Sequence, residues 1–181
     1  MKIFFVSDLH GSLPATQRAL DKFVTSEAEH LIVLGDTLYH GPRNPIPEGY
    51  DPKAVAELLN QYANKIIAVR GNCDSEVDQA LLTFPILSDF TYVLLESGQR
   101  LFLTHGHIYH KDKTPPLNPN DVIVYGHTHI PAAEKFEDKF IFNPGSATFP
   151  RNRYLASYGL YQDGVLSVLD FEDREIASVT I

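Results

Sequence analysis

The sequence YGHTH at residues 125–129 follows the apolar run VIV at 122–124, and the two together decide how the chain is interpreted. The apolar run is typical of a buried strand. Gly126 ends it where the backbone can approach another group closely. His127 and His129 then project from a turn, and a bend would aim both imidazoles at one place. Histidine is a common ligand of divalent metals, so the pattern indicates a metal site if the chain supplies further ligands.

Further candidate ligands all occur just past the end of an apolar run, so that five predicted strand ends carry them. A single Asp after a strand is usually a turn former, and a single His is more often a core or surface residue. The carboxyl ends of strands in α/β sheets are, however, where ligands bind, and all five ends lie at one edge of the inferred fold. The candidate metal ligands are Asp8, His10, Asp36, Asn72, His105, His127 and His129.

The candidate ligands are carboxylates, imidazoles and one amide, and no thiolate is required. Such ligands suit two hard-to-borderline divalent ions rather than a structural zinc. Asp36, on a central strand, is the natural bridge between the ions. Two ions roughly 3.5–4 Å apart hold a hydroxide and clamp both the attacking and the leaving oxygen of a phosphoryl transfer. They also cancel the charge of a phosphate substrate without a cluster of Lys and Arg.

The order of predicted elements favours an α/β fold. Continuously apolar strands at 2–7, 31–34 and 65–69, separated by helices, predict parallel crossovers in a sheet covered on both faces. The second half predicts hairpins and therefore mostly antiparallel strands. We expect βαβαβ followed by antiparallel β, arranged as two packed sheets with helices outside, in a single domain spanning 1–181.

Bulk properties exclude several classes of partner. The 181 residues carry a net charge of −8 with no basic cluster, which argues against nucleic-acid or membrane binding. The single cysteine, Cys73, excludes an internal disulfide and fits a reducing compartment. The N-terminus lacks a signal-peptide pattern, so a cytoplasmic protein is expected.

The motifs Asp8-x-His10, Gly35-Asp36, Gly71-Asn72, His105 and Gly126-His127-x-His129, in this order, resemble those of the calcineurin-like metallophosphoesterases. The resemblance covers the whole chain. It implies a four-layer α/β/β/α sandwich, in which two packed mixed sheets are flanked by helices. It also suggests a homo-oligomer.

By position, the resemblance implies two metal sites that share Asp36. Asp8, His10, Asp36 and His129 would hold the first ion, and Asp36, Asn72, His105 and His127 the second. The ions would be Mn²⁺, with Zn²⁺, Fe²⁺ or Ni²⁺ as alternatives. The implied function is a phosphodiesterase that acts on a small phosphodiester through a metal-bridging hydroxide, while Asn72 steadies the transition-state charge. The alternatives are a phosphomonoesterase on the same site and a non-catalytic scaffold of the same fold.

One departure concerns the proton for the leaving group. Many family members have a histidine after the Gly-Asn pair, where this chain has Cys73. A thiol is a weak donor, and nearby cations would ionise it, so we expect a preference for leaving groups of low pKa. His107 is the best replacement acid, with a loop or supporting role as the alternative; Cys73 itself is a small filler rather than a nucleophile.

Two further features of the loop at 37–50 are open to interpretation. Residues 35–39 match the pattern of purple acid phosphatases, whose tyrosine binds iron, but His10 already supplies a ligand, so Tyr39 is expected in packing or substrate contact. Arg43 and Asn44 are candidate substrate-binding residues, since arginine suits phosphate oxygens. The alternative for Arg43 is a solvated loop charge.

Overall fold

A computed structural model describes residues 1–181 and shows two β-sheets packed face to face. The strands and helices of the chain have these bounds: β1 Lys2–Val6, α1 Leu13–Thr25, β2 His30–Val33, α2 Pro52–Asn60, a 3₁₀ turn Ala63–Lys65, β3 Ile66–Ala68, α3 Glu76–Gln79, β4 Phe90–Leu94, β5 Arg100–Thr104, β6 Val122–Val124, β7 Ala132–Phe136, β8 Lys139–Asn143, β9 Ser157–Gln162, β10 Val165–Asp170 and β11 Glu175–Thr180. None of the helices has the length and apolar character needed to cross a membrane.

The first sheet has the order β11-β10-β9-β1-β2-β3, and the second has the order β4-β5-β6-β8-β7. Strands β1, β2 and β3 are parallel, as the crossovers predict. Most later pairs are antiparallel, but β5, β6 and β8 run parallel to one another. Both sheets therefore have a carboxyl edge formed by parallel strands, which is where ligands bind in such sheets.

A layer of helices covers the outer face of the first sheet. Ser12 caps α1 by accepting a hydrogen bond from the backbone of Ala15, and the helix buries Ala19, Leu20 and Phe23 at helical spacing. Asp51 caps α2 in the same way. The apolar faces of both helices pack against β1 and β2, so these two strands are buried on both sides.

An apolar layer between the sheets joins them. It contains alternate residues of β1 and β2 from one sheet and of β5, β6 and β8 from the other. Phe5 and Phe142 meet across it edge to face, with ring centroids 5.1 Å apart. The two sheets are thereby held in one relative position, and so are the loops that follow their strands.

The outer face of the second sheet differs from the resemblance in one layer. Phe102, Ile123 and Ile141 are buried beneath an irregular segment between β5 and β6, in which Tyr109 and Leu117 pack on them. Prolines at 115, 116 and 119 explain why this segment forms no helix. The α/β class and the two packed mixed sheets are confirmed, but the fourth layer is a loop instead of helices.

Candidate metal centre

The predicted ligands come together where the carboxyl edges of the two sheets meet. Two ion-pair contacts join residues of different sheets: His129 Nε2 lies 3.1 Å from Asp8 Oδ1, and His105 Nε2 lies 3.5 Å from Asp36 Oδ2. Within the first sheet, His10 Nε2 lies 3.7 Å from carboxylate oxygens of both Asp8 and Asp36. Asp36 Oδ2 thus stands between the imidazoles of His10 and His105, the position expected for a bridge.

Most of these side chains leave the backbone at positive φ. The angles are 58° at Asp8, 49° at His10, 52° at Asp36, 60° at His127 and 60° at His129. The left-handed region costs roughly 1–2 kcal/mol for each residue with a Cβ, although Asp, Asn and His occupy it more often than other types. Such strain is common at functional sites. Here it turns the chain sharply as each strand ends and curls it around the site.

Three of the four imidazoles are oriented by backbone carbonyl groups. Because a carbonyl oxygen only accepts, Nδ1 of each ring carries the proton and donates, which leaves Nε2 free to bind a metal. The bonds run from His10 to Tyr39 (3.0 Å), from His105 to Leu34 (2.6 Å) and from His129 to Phe149 (2.6 Å). His127 differs, since its Nδ1 is the nitrogen that faces the other ligands.

The space around His105 Nε2 is crowded with lone pairs. Asn72 Oδ1 and His127 Nδ1 both lie 3.1 Å from this nitrogen. Burial works to lower the pKa of His105, but Asp36 and Asp8 outweigh it and raise the pKa to about 9. The pKa of His127 falls to about 4 because of burial and the neighbouring charge of His105. The surroundings of His105 Nε2 therefore favour a positive charge there.

The carboxylates are held ionised despite burial. Burial by itself raises the pKa of Asp8, but His129 and the charge of His105 outweigh it, and the net shift is downward. For Asp36, burial also acts upward, but His105 and the backbone N–H of Cys73 lower the pKa well below its usual range. Two buried carboxylates beside several imidazoles form a negatively charged centre that attracts cations.

Two buried atoms of the group have no hydrogen-bond partner: Asp8 Oδ1 and His10 Nε2. Leaving a buried polar atom unsatisfied usually costs roughly 1–3 kcal/mol. Both atoms belong to a set of Asp8, His10 and His129 whose ligand atoms lie within 4.8 Å of one another. Asp8, Asp36 and His105 form a second set by the same measure. The donor types and the unsatisfied atoms fit bound divalent cations.

Gly126 lets the two sheets approach at the site, as its position after β6 predicts. A Cβ there would lie 1.8 Å from Ser7 Oγ and 2.9 Å from Asp8 Oδ2. The same Asp8 oxygen accepts hydrogen bonds from the Ser7 hydroxyl (2.7 Å) and the His127 backbone (3.1 Å). The close approach thus fixes Asp8 and leaves its other oxygen for a ligand.

Asp74 has a role that the sequence did not reveal. Its buried carboxylate accepts hydrogen bonds from the backbone N–H groups of Asp36 (2.9 Å), Thr37 (2.8 Å) and Gly71 (2.8 Å). It thereby ties the loop after β2 to the loop after β3, and so positions Asp36 relative to Asn72. The one signal of this role in the sequence is that Asp74 follows Asn72 by two residues. Asp is so common in turns that this position predicts nothing specific.

A small polar pocket of about 110 Å³ opens over these side chains. Arg43 and Asn44, the predicted substrate-binding residues, both line it, together with Asn72 and His127. Arg151 also lines the pocket. It was not predicted, because an arginine in a loop is usually a solvated surface charge. Two arginines therefore line a pocket above a site that suits cations.

Residues 1–162 match the family model described as the calcineurin-like phosphoesterase superfamily domain. The chain belongs to this superfamily. It is 58% identical over 176 residues to the phosphodiesterase YfcE of Escherichia coli strain K12, and the match covers 97% of this chain and 95% of that protein. The solved structure of the E. coli phosphoesterase Yfce superposes with a TM-score of 0.98 at 56% identity and covers 100% of both chains. A phosphodiesterase of Methanocaldococcus jannaschii is 31% identical over 187 residues, which cover 97% of this chain and 98% of that one.

The position at which many calcineurin-like phosphoesterases have a histidine is occupied by Cys73, on the wall of the pocket. Burial and the charge of Asp36 raise the pKa of its thiol. Its Sγ accepts a hydrogen bond of 3.2 Å from Asn72 Nδ2. His107, the suggested replacement acid, lies against His105 with ring centroids 5.4 Å apart but does not line the pocket.

Proposed function

We propose that the protein is a phosphodiesterase that depends on two divalent metal ions and hydrolyses small phosphodiesters. The observation that carries the proposal is the convergence of oxygen- and nitrogen-bearing side chains from both sheets. Asp8, His10, Asp36, His105 and His129 form overlapping sets of possible ligands, with unsatisfied atoms on Asp8 and His10. Asn72 Oδ1 and His127 Nδ1 each lie 3.1 Å from His105 Nε2. Membership of the calcineurin-like superfamily and the identity to a named phosphodiesterase support it. When bound, the ions would neutralise the phosphate charge and acidify the attacking water.

We keep the division of ligands that the resemblance implies. Asp8, His10 and His129 would hold one ion, Asn72, His105 and His127 would hold the other, and Asp36 would contribute to both. The three carbonyl-bound imidazoles keep Nε2 pointed inward without rearrangement, which favours rapid and specific binding. Manganese is the first choice among metals, because oxygen and nitrogen donors without thiolate suit it. Zn²⁺, Fe²⁺ and Ni²⁺ are the alternatives.

The remaining pocket residues act on the substrate. Arg43 and Arg151 border the pocket and would contact the phosphoryl oxygens that face away from the ions. Asn44, whose amide donates to the His40 carbonyl at 2.9 Å, holds the loop that carries Arg43. The amide of Asn72 would steady charge that develops on phosphorus oxygens. A cytoplasmic location and a homo-oligomeric state stay predictions.

Hydrolysis of bis-p-nitrophenyl phosphate tests the proposal. Activity should require added Mn²⁺, disappear with chelator, and fall by at least about a thousandfold in Asp36→Asn, because a neutral amide cannot bridge two cations. Asp163→Asn is the matched control, since Asp163 also has positive φ (51°) but lies in the exposed turn between β9 and β10.

Three outcomes would contradict the proposal. Turnover that is insensitive to chelator and to Asp36→Asn would remove the two-metal site from the explanation. Faster hydrolysis of p-nitrophenyl phosphate than of the diester would favour a phosphomonoesterase. No turnover of either substrate with any of the four metals would favour a scaffold.

A further inference from the structure

A second depression, larger and less polar, adjoins the metal pocket. It has a volume of about 590 Å³, compared with about 110 Å³ for the pocket itself. The two share Pro42, Arg43, Asn72 and Cys73 as lining residues, so a group bound over the metals would extend directly into this groove. A volume of this size falls within the range that holds a small organic ligand.

Aromatic rings form a wall of the groove. Tyr39 and Tyr50 line it, and the ring of His40 lies between them, with centroids 4.8 Å from Tyr39 and 5.3 Å from Tyr50. The backbone of Tyr39 is fixed, because its carbonyl accepts the hydrogen bond from His10. Its side chain is nevertheless 40% exposed. An aromatic side chain that stays exposed on a fixed backbone beside a reactive pocket is suited to stacking on a ligand.

The groove has further apolar surface that nothing in the protein covers. Val77, in the short helix α3, lines the groove with 75% of its surface exposed, and the half-buried Pro52 also contributes. An exposed valine alone would be unremarkable. Here it lies in the same depression as two tyrosines, which concentrates apolar surface next to the site.

The carboxylates of the groove are already engaged. Asp74 is bound by three backbone N–H groups, and Asp78 accepts hydrogen bonds from the backbone and hydroxyl of Ser75. The cation of the groove, Arg43, lies at the boundary with the metal pocket. An anionic group has no second cation to meet beyond that boundary, so the groove suits an uncharged ligand.

We propose that this groove binds the aromatic ring of one ester group of the substrate, so that the enzyme selects aryl or nucleoside phosphodiesters over alkyl ones. The inference rests on the proposed function, because it places the phosphate over the metal pocket. Stacking of a ring on an aromatic side chain contributes roughly 1–3 kcal/mol by alanine substitution, which corresponds to about a tenfold preference or more.

Phosphonates that the enzyme cannot hydrolyse provide the test. Calorimetric titration of the manganese-loaded protein should show phenylphosphonate binding about tenfold more tightly than methylphosphonate and several-fold more tightly than cyclohexylphosphonate. Tyr39→Ala should reduce the phenyl-to-methyl preference to about twofold and leave methylphosphonate affinity unchanged. Val77→Ser, at an exposed position, should reduce the preference about threefold.

Matched variants outside the groove control for general effects. Tyr92→Ala removes a tyrosine of similar exposure (37%) from β4, and Val24→Ser removes an exposed valine from α1. Both should keep the full phenyl preference. The proposal is overturned if the wild-type protein shows no such preference, if cyclohexylphosphonate binds as well as phenylphosphonate, or if Tyr39→Ala and Val77→Ser both keep the preference.

Binding and turnover separate this inference from the proposed function. If the enzyme hydrolyses diesters but shows no preference for a ring, the proposal about the groove is contradicted and the proposed function is not. A ring preference that Tyr39→Ala abolishes, in a protein that hydrolyses no diester, would contradict the catalytic proposal alone. The 5′-phosphonate analogue of a nucleoside, compared with the same phosphonate of ribose, then distinguishes a nucleobase from a simple aryl ring as the occupant.

Discussion

At the scale of single residues, the candidate site is built from residues held in energetically unfavourable conformations and surroundings. Five of the predicted ligands have positive φ, and Asp8 and His10 each bury an unsatisfied atom. Such arrangements persist only where the surrounding structure determines them. The hydrogen bonds from Ser7 and from the backbone of His127 to Asp8 supply part of that determination.

The residue that replaces a histidine, Cys73, leads to a prediction about leaving groups. A thiol is a weak hydrogen-bond donor, and general acid catalysis usually contributes roughly 10²–10⁴-fold. In a series of substituted phenyl diesters, kcat/KM should fall steeply as the pKa of the phenol rises, by about a hundredfold from p-nitrophenol to phenol. The series keeps the ring constant, so contacts in the groove do not change.

Equal rates across that series would mean that another group supplies the proton. His107→Gln then decides whether His107 is that group, because the variant would restore the steep dependence. The pKa of His107 is lowered by burial and by the neighbouring charge of His105. A variant of Asn72 cannot serve as the control for His107→Gln, because Asn72 is itself one of the predicted metal ligands.

At the scale of elements, the strands position the site and buried polar contacts fix the strands. Strands β5 and β6 are tied together before they reach it. Asp121, just before β6, accepts from the backbone N–H of Arg100 at 3.1 Å, from its Nε at 2.9 Å and from the Asn118 backbone at 2.8 Å. This carboxylate therefore connects the starts of both strands to the loop between them.

Asp121→Asn should lower the Tm at pH 7 by about 3–12 °C, because charge-assisted hydrogen bonds contribute roughly 1.5–3 kcal/mol. Burial raises the pKa of Asp121, but Arg100 and Asn118 outweigh it and hold the pKa below its usual value. The ionised form hence stabilises the fold above pH of about 4, and this contribution is lost as the pH falls further. Thermal unfolding at pH 7, 5 and 3.5 measures the difference from wild type.

That difference should be the same at pH 7 and 5 and shrink at pH 3.5. Asp163→Asn, in an exposed turn, should change the Tm little at any of these pH values. A difference that stays constant down to pH 3.5 would mean that the charge of Asp121 is not what stabilises the two strands.

At the scale of the whole molecule, the site joins two sheets that are otherwise held by apolar packing. Asp8 and Asp36 come from one sheet, and His105, His127 and His129 from the other. Ions bound between them would crosslink the sheets. They would also neutralise a centre whose carboxylates are buried and ionised.

Added Mn²⁺ should therefore stabilise the folded protein. At a free concentration a hundred times the Kd, binding contributes about 2.7 kcal/mol, which for a chain of this length raises the Tm by about 5–10 °C. Differential scanning calorimetry with metal and with chelator measures the shift. Asp36→Asn should lose most of the shift, whereas Asp163→Asn should keep it; an equal shift in both variants would place the bound metal elsewhere.

Much of this architecture could be predicted from local patterns. Continuous apolar runs predicted β1, β2, β3 and β6, and the caps of α1 and α2, Ser12 and Asp51, are also local features, because caps and periodicity depend on near neighbours in sequence. The resemblance implied helices on the outer face of the second sheet, where the structure has a loop. The prolines at 115, 116 and 119 oppose a helix there, but no local pattern encodes the packing of this loop on Phe102 and Ile123.

The sequence by itself determined which side chains could bind metal and that they follow strand ends, since those are properties of residue type and order. Only the tertiary structure decided that Asp74 ties two loops together, that Arg151 reaches the pocket, and that Tyr39 and Val77 share one groove. Each of these depends on which residues distant in sequence become neighbours in space. That is set by how the two sheets pack, a property of the whole chain rather than of any segment.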